Sequence, residues 1–254
     1  MVNITSKLNN LASFLILNNF GVEAEYVEDL NKIAARPTYI SELELEDIGE
    51  ALYFAAKDGL EHFPDDVSIS SYANRLQAIN NKPVAVIPIQ RYGFEKPDNF
   101  EVLWGFDNQA GGGFSSREKF IVIFVQSAKI SKKRALERYR EMAHIMLAHE
   151  ITHATDNRQS EKASDEMTVQ EYFNDSSEVR AYMTQIYHEI KDSIPEMYLS
   201  GKSLSDTTRT LINESKTWNR YNSFFNEETK KLIIKAIYTV IQDFYEEAAA
   251  ENYR

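Results

Sequence analysis

The chain contains no cysteine, which excludes disulfides and thiolate ligands, so any metal ion must be held by histidine and carboxylate. Histidine is itself scarce, with five among 254 residues, and that makes their spacing informative. Basic residues are in deficit, 28 against 39 acidic for a formal charge of −11. Phosphate binding needs a basic patch and none stands out, so no nucleic-acid partner is expected. Long hydrophobic runs are also missing. Leu11 to Leu17 is apolar but is bracketed by Asn9, Asn10, Asn18 and Asn19. It is too short to span a membrane and lacks a small-residue cleavage site, and it reads as an amphipathic helix rather than a signal peptide or transmembrane segment. A cytoplasmic or virion-associated location is expected from this, with secretion by a dedicated route left open.

From Val22 to about Asn80 the pattern is helical, with Arg36-Pro37 as a break and Ser41-Glu42-Leu43-Glu44 as a helix start. The acidic cluster Glu42, Glu44, Glu46, Asp47 and Glu50 reads as a solvated helix face. His62, just before Phe63-Pro64, reads as a cap or surface residue. At Lys82-Pro83 the period changes, and Val84–Ile89, Phe100–Trp104 and Phe120–Val125 read as strands. Pro88 places the first of them at an edge or a bulge. Gly111-Gly112-Gly113 reads as a flexible loop; it lacks a Gly-Lys-Ser/Thr and precedes a strand, which argues against a phosphate cradle. Helices are then expected over Ser131–Asp156, Asp175–Asp192, Leu204–Asn213 and Glu227–Glu251, with Asn157–Met167 as a loop or lid. The predicted fold class is α+β, mainly helical with a small mixed sheet. A helical N-terminal region over 1–80 is expected to precede a domain over 81–254 that ends in the C-terminal helices.

One stretch organises the rest. His149-Glu150-Ile151-Thr152-His153 reads HExxH and lies in a segment, Ser131 to Asp156, without glycine or proline. Around it Ala135, Leu136, Tyr139, Met142, Ala143, Ile145, Met146, Leu147, Ala148 and Ile151 point to nearly every side of the helix, and a helix apolar all round is buried. Four residues apart, His149 and His153 are separated by only about 40° around the axis, so both imidazoles reach one metal ion. Glu150 is about 100° from His149, which suits it to a water on the metal better than to the metal itself. Lys132, Lys133 and Arg134 in the first turn oppose the helix dipole, and a solvent-facing start is expected there.

A hydrolytic zinc usually takes three protein ligands and keeps one position for water. Glu178, 25 residues beyond His153 (178 − 153) near the start of the next helix, is the best candidate, ahead of Glu161, Glu166, Glu171 and Glu189. Asp175-Ser176-Ser177-Glu178 also has the pattern of a capping box, so ligand and cap are both open at that position. With His149, Glu150, His153 and Glu178, the chain resembles the gluzincins, HExxH zinc peptidases whose third ligand is a Glu on a following helix. The likeness covers about Phe120 to Ile190. It implies a zincin-like core, an HExxH helix plus a Glu-ligand helix, beneath a small sheet whose edge strand pairs with an extended peptide; Phe120–Val125 is the strand most like that edge. It also implies Zn2+ as cofactor, His149, His153 and Glu178 as metal ligands, and Glu150 as general base. His153-Ala154-Thr155-Asp156 is similar to the extended motif of lethal-factor-like peptidases, in which the acid, here Asp156, supports a ligand histidine. Those relatives place a tyrosine shortly before the ligand Glu to stabilise the attacked carbonyl; Tyr172 has the similar position, with Tyr182 and His188 as rivals. Where many gluzincins carry an acid four residues after the ligand Glu, this chain has Tyr182. His144 reads as a packing or surface histidine.

The expected function is therefore a zinc-dependent endopeptidase acting on a protein or peptide substrate. The alternative is a structural or assembly protein, for instance of a virus particle or mobile element, that keeps a zincin fold for packing. Hydrolysis of a non-peptide bond is a third possibility.

Overall fold

The structure, a computed structural model, describes residues 42–67, 82–89, 91, 96–107, 111–126, 129–155 and 167–252. They fall into two compact units, one within residues 38–157 and one beyond residue 158. The expected helix at Leu11–Leu17, the break at Arg36-Pro37, most of the helical stretch to Asn80 and the lid over Asn157–Met167 lie outside the described residues, apart from Met167. No helix among the described residues is long and apolar enough to cross a membrane.

Residues 38–157 hold a four-stranded mixed sheet and two helices. Strands β1 (Ala85–Ile89), β2 (Asp98–Asp107), β3 (Gly112–Ser115) and β4 (Phe120–Gln126) are ordered β1-β2-β4-β3. The β1/β2 and β3/β4 pairs are antiparallel, and β2/β4 is parallel. Alternation sets one face: Ile87 lies opposite Phe100, Val102 opposite Ile121, Trp104 opposite Ile123 and Phe106 opposite Val125, and all of these are buried. This face shares one core with helix α1 (Glu42–Gly59), through Leu45, Leu52 and Ala56, and with helix α2 (Lys132–Thr155), through Ala135, Tyr139, Ala143, Leu147, Ala148 and Ile151. Helix α1, from the helical N-terminal region expected over 1–80, shares its core with the sheet. Glu50 joins α1 to α2 by accepting two hydrogen bonds from Arg140, at 2.7 and 3.2 Å. The acidic residues Glu44, Glu46 and Asp47 are exposed, as a solvated face requires.

Three expectations need correcting here. The strand Phe120–Val125 is interior, flanked by β2 and β3, so the edge beside α2 is the short β3. That strand begins in the glycine run expected to be a flexible loop; Gly-Gly-Phe-Ser has little strand propensity of its own, and pairing with β4 decides its conformation. The start of α2 is also not wholly solvent-facing. Lys132 is buried, donating to the Leu60 carbonyl at 3.3 Å and pairing with Asp65 at 2.8 Å, while Lys133 and Arg134 are exposed. The hydrogen bond and charge of Lys132 hold the Asp65 carboxyl below the usual range. Pro88 lies on edge strand β1, where a proline within a strand is expected.

Beyond residue 158 the described chain is helical: α3 (Val169–Asn174), α4 (Ser176–Ile190), a 3-10 turn (Lys191–Ser193), α5 (Ile194–Leu199), α6 (Leu204–Glu214), α7 (Lys216–Tyr221) and α8 (Glu227–Asn252). Val179, Ile186 and Ile190 of α4, Leu211 and Ile212 of α6, and Ile233, Ile237 and Ile241 of α8 form its core. An aromatic cluster pins α3 to α4: Phe173 stacks on Tyr182 at 5.5 Å and on Phe224 at 4.8 Å. Asn174 fixes the same corner, donating to the Phe224 carbonyl and accepting from the Asn226 N–H. Mainly helical with one small mixed sheet, the chain is α+β.

Candidate metal centre

Helix α2 is amphipathic at its start and buried on every side by its last three turns, where residues 147 to 151 are all buried. His149, Glu150 and His153 lie in this stretch at 7%, 6% and 9% exposure. The two imidazoles turn their Nε2 atoms toward one another, 3.2 Å apart, with ring planes at 71°. Two nitrogens each about 2.05 Å from one tetrahedral ion stand about 3.3 Å apart. The pair therefore has the separation that a shared zinc requires. Thr152 and Thr155 do not compete, because their hydroxyls donate back to Ala148 and Ile151 of the same helix.

Strand β3 runs beside this motif, and its register against the helix assigns each motif residue a neighbour. Gly112 and Phe114, two apart and on one face of the strand, stand opposite Glu150 and His153, three apart on the helix. About 6.8 Å along the strand meets about 4.5 Å along the helix, close enough for one-to-one contact. A Cβ built on Gly112 would lie 2.6 Å from Glu150 Oε1, so the carboxylate rests against the strand backbone. Phe114 stacks nearly parallel on the His153 ring, at 5.8 Å and 6°.

Glu178 lies in the first turn of α4. The capping-box alternative is not what is seen there: Asp175 is the N-cap, accepting from the Ser177 N–H at 2.9 Å and the Ser177 hydroxyl at 2.6 Å. The Asp175 N–H, which Glu178 would accept in a box, donates instead to the Tyr172 carbonyl at 3.2 Å. A capping box does exist one helix earlier, between Thr168 and Glu171, and it occupies one of the rival ligands. Glu189 is occupied as well, accepting from the Ser215 hydroxyl and from the N–H and hydroxyl of Thr217 at 2.6 to 3.1 Å, which fixes the start of α7. Glu161 and Glu166 lie outside the described residues, as does Asp156. His149, His153 and Glu178 each offer one ligand atom, and as a His-His-Glu group they could hold a metal ion.

Tyr172 and Tyr182, rivals as transition-state donors, are partners. Tyr182 is buried four residues after Glu178, hydrogen-bonds Tyr172, and has its hydroxyl pushed far above the usual phenol range by burial and by neighbouring Tyr172, Glu178 and Tyr221. Tyr172 is the less buried of the two. His188 stands ten residues beyond Glu178, about 15 Å along the helix, and its ring packs at 5.6 Å on Tyr187. His144 packs on α1, where a Cβ on Gly49 would meet its own Cβ at 2.8 Å. His62 is exposed.

No family model, curated protein or solved structure matches this chain. Its chemistry is therefore read from the site alone. Two residues that touch the motif, Gly112 and Phe114, were not singled out in the sequence for that role. The signal was there in part: a glycine run beside a strand marks a close approach of backbone to something as well as a turn.

Proposed function

We propose that the protein is a zinc-dependent endopeptidase of the gluzincin type, with His149, His153 and Glu178 as the zinc ligands. The observation that carries this is the 3.2 Å convergence of two imidazole Nε2 atoms on a buried helix with Glu150 between them in sequence. Buried imidazoles and a buried carboxylate at this spacing are costly without a function for their polar atoms, and a metal suits the donor set. Glu178 supports the reading because its helix is capped without it.

Zinc held there would supply Lewis acidity, making a water more acidic and a scissile carbonyl more electrophilic. Glu150 then accepts a proton from the attacking water and returns it to the leaving amine, so that one proton is taken up and released in each cycle. Tyr172, with Tyr182 behind it, donates a hydrogen bond to the carbonyl oxygen as that oxygen gains charge. Asp156, three residues beyond His153, supports a ligand imidazole. The substrate is an extended peptide that adds to the edge of β3, in place of the interior strand Phe120–Gln126.

Glu150→Gln tests this reading. The full-length variant should bind zinc and melt as the wild type does, yet lose at least about 100-fold in peptide hydrolysis, the lower end for a general base. A zinc-loaded, folded wild type that cleaves nothing in a broad peptide library would move the reading to the assembly protein. Unchanged turnover in Glu150→Gln would overturn the mechanism even with the zinc site intact.

A further inference from the structure

Gly112 stands where the backbone alone does not ask for glycine. Among the described residues only Gly201 is a glycine with positive φ, so an alanine at 112 would meet no strain in φ. What it would meet is Glu150: a Cβ there lies 2.6 Å from Oε1, 2.8 Å from Cγ and 3.0 Å from Cδ. Carbon and oxygen atoms in ordinary contact stand about 3.5 Å apart. The three nearest neighbours of that Cβ are thus all atoms of the one side chain proposed as the base. Gly113, the next residue on the same strand, is different, since its Cβ would reach Val122 and Phe124 at 3.8 and 3.9 Å, in ordinary contact.

From this contact we infer that Gly112 is a positioning residue for Glu150: the bare backbone of β3 is the surface against which the carboxylate is held. The inference rests on the reading of Glu150 as general base. A glutamate side chain turns about three torsions, so a methyl group at 112 is accommodated by turning the Glu150 side chain, Cγ and carboxylate together, rather than by opening the sheet. Helix α2 and the imidazole pair need not move, because the three closest contacts all fall on the Glu150 side chain. The same strand face carries Phe114 over His153, so β3 contacts both motif residues by shape alone.

The experiment compares Gly112→Ala with Gly113→Ala in the full-length protein, loaded with zinc. Gly112→Ala should keep its zinc and melt close to Gly113→Ala. Its kcat should fall about 10- to 100-fold with KM unchanged, the cost of misplacing a reacting group by up to an ångström. A crystal structure of Gly112→Ala should place the Glu150 carboxylate at least about 0.5 Å from its wild-type position, a tolerance beyond which a catalytic group is out of place. Wild-type kcat in Gly112→Ala, an unmoved carboxylate, or loss of zinc would each overturn the inference. Should Gly112→Ala fail to fold, the double variant Gly112→Ala/Glu150→Ala decides: folding restored assigns the conflict to Glu150, and a second failure assigns it elsewhere and overturns the proposal. If the wild type proves inactive, the endopeptidase reading fails separately, and the carboxylate position in the variant still decides whether Gly112 holds it.

Discussion

Glu178→Gln keeps the size and shape of the side chain while removing its charge, and so separates a metal ligand from a helix cap. The N-terminus of α4 is capped by Asp175, through two hydrogen bonds to Ser177, and the Asp175 N–H goes to Tyr172. Glu178 also lies in the first turn of α4, where a carboxylate at the helix dipole is worth about 0.3 to 1 kcal/mol. Its contribution to metal binding should be larger. Loss of a residue that merely supports a ligand weakens affinity about 10- to 100-fold, so loss of the anionic ligand itself should reach at least 100-fold. Through linkage, 100-fold corresponds to about 2.7 kcal/mol of zinc-dependent stability. Asp175→Ala should show the opposite pattern, losing about 1 kcal/mol in the metal-free protein with affinity intact. Zinc titration against a competing chelator, with melting curves recorded with and without zinc, measures both quantities. Binding by Glu178→Gln within threefold of wild type would refute the assignment, and so would an equal loss of affinity in Asp175→Ala.

Other outcomes follow from the same geometry. The double variant His149→Ala/His153→Ala should bind no zinc at all by metal analysis after dialysis, against about one ion per chain for the wild type. Glu189→Ala should lower the unfolding free energy by about 2 to 3 kcal/mol in denaturant titration, because buried donors of Ser215 and Thr217 lose their acceptor, while zinc affinity stays unchanged. Asp243 is buried in α8, and among the described residues neither of its carboxylate oxygens has a hydrogen-bond partner; burial, with Glu246 and Glu247 adding to it, pushes its carboxyl up to about 6. Because this is above the usual value, the stabilisation is complete below about pH 4 and is lost as the pH rises through 6, so Asp243→Asn should raise stability at pH 7.5 by at most about 3 kcal/mol and have little effect at pH 4. A thermal melt series from pH 4 to 8 reads this directly.

The HExxH helix was legible because its signals are local: two histidines four residues apart, no glycine or proline, and an apolar surface all round. The same holds for helices α4, α6 and α8 and for the three apolar strands, whose periods of 3.6 and 2 are set by backbone geometry before any packing occurs. What required tertiary structure was anything decided by a distant partner. Gly112 and Gly113 join a strand because β4 supplies their hydrogen bonds, and no property of three glycines in a row reveals that. Phe120–Gln126 is interior rather than an edge for the same reason. Lys132 is buried because Asp65 and the carbonyls near the end of α1 lie beside it, although its place in the sequence suggests solvent. At Glu178 the sequence offered a cap and a ligand together, since both need an acid in the first turn. What the structure adds is the partner of the Asp175 N–H, which donates to the Tyr172 carbonyl, and hydrogen bonding of a single backbone group is fixed only once the α3–α4 corner has folded.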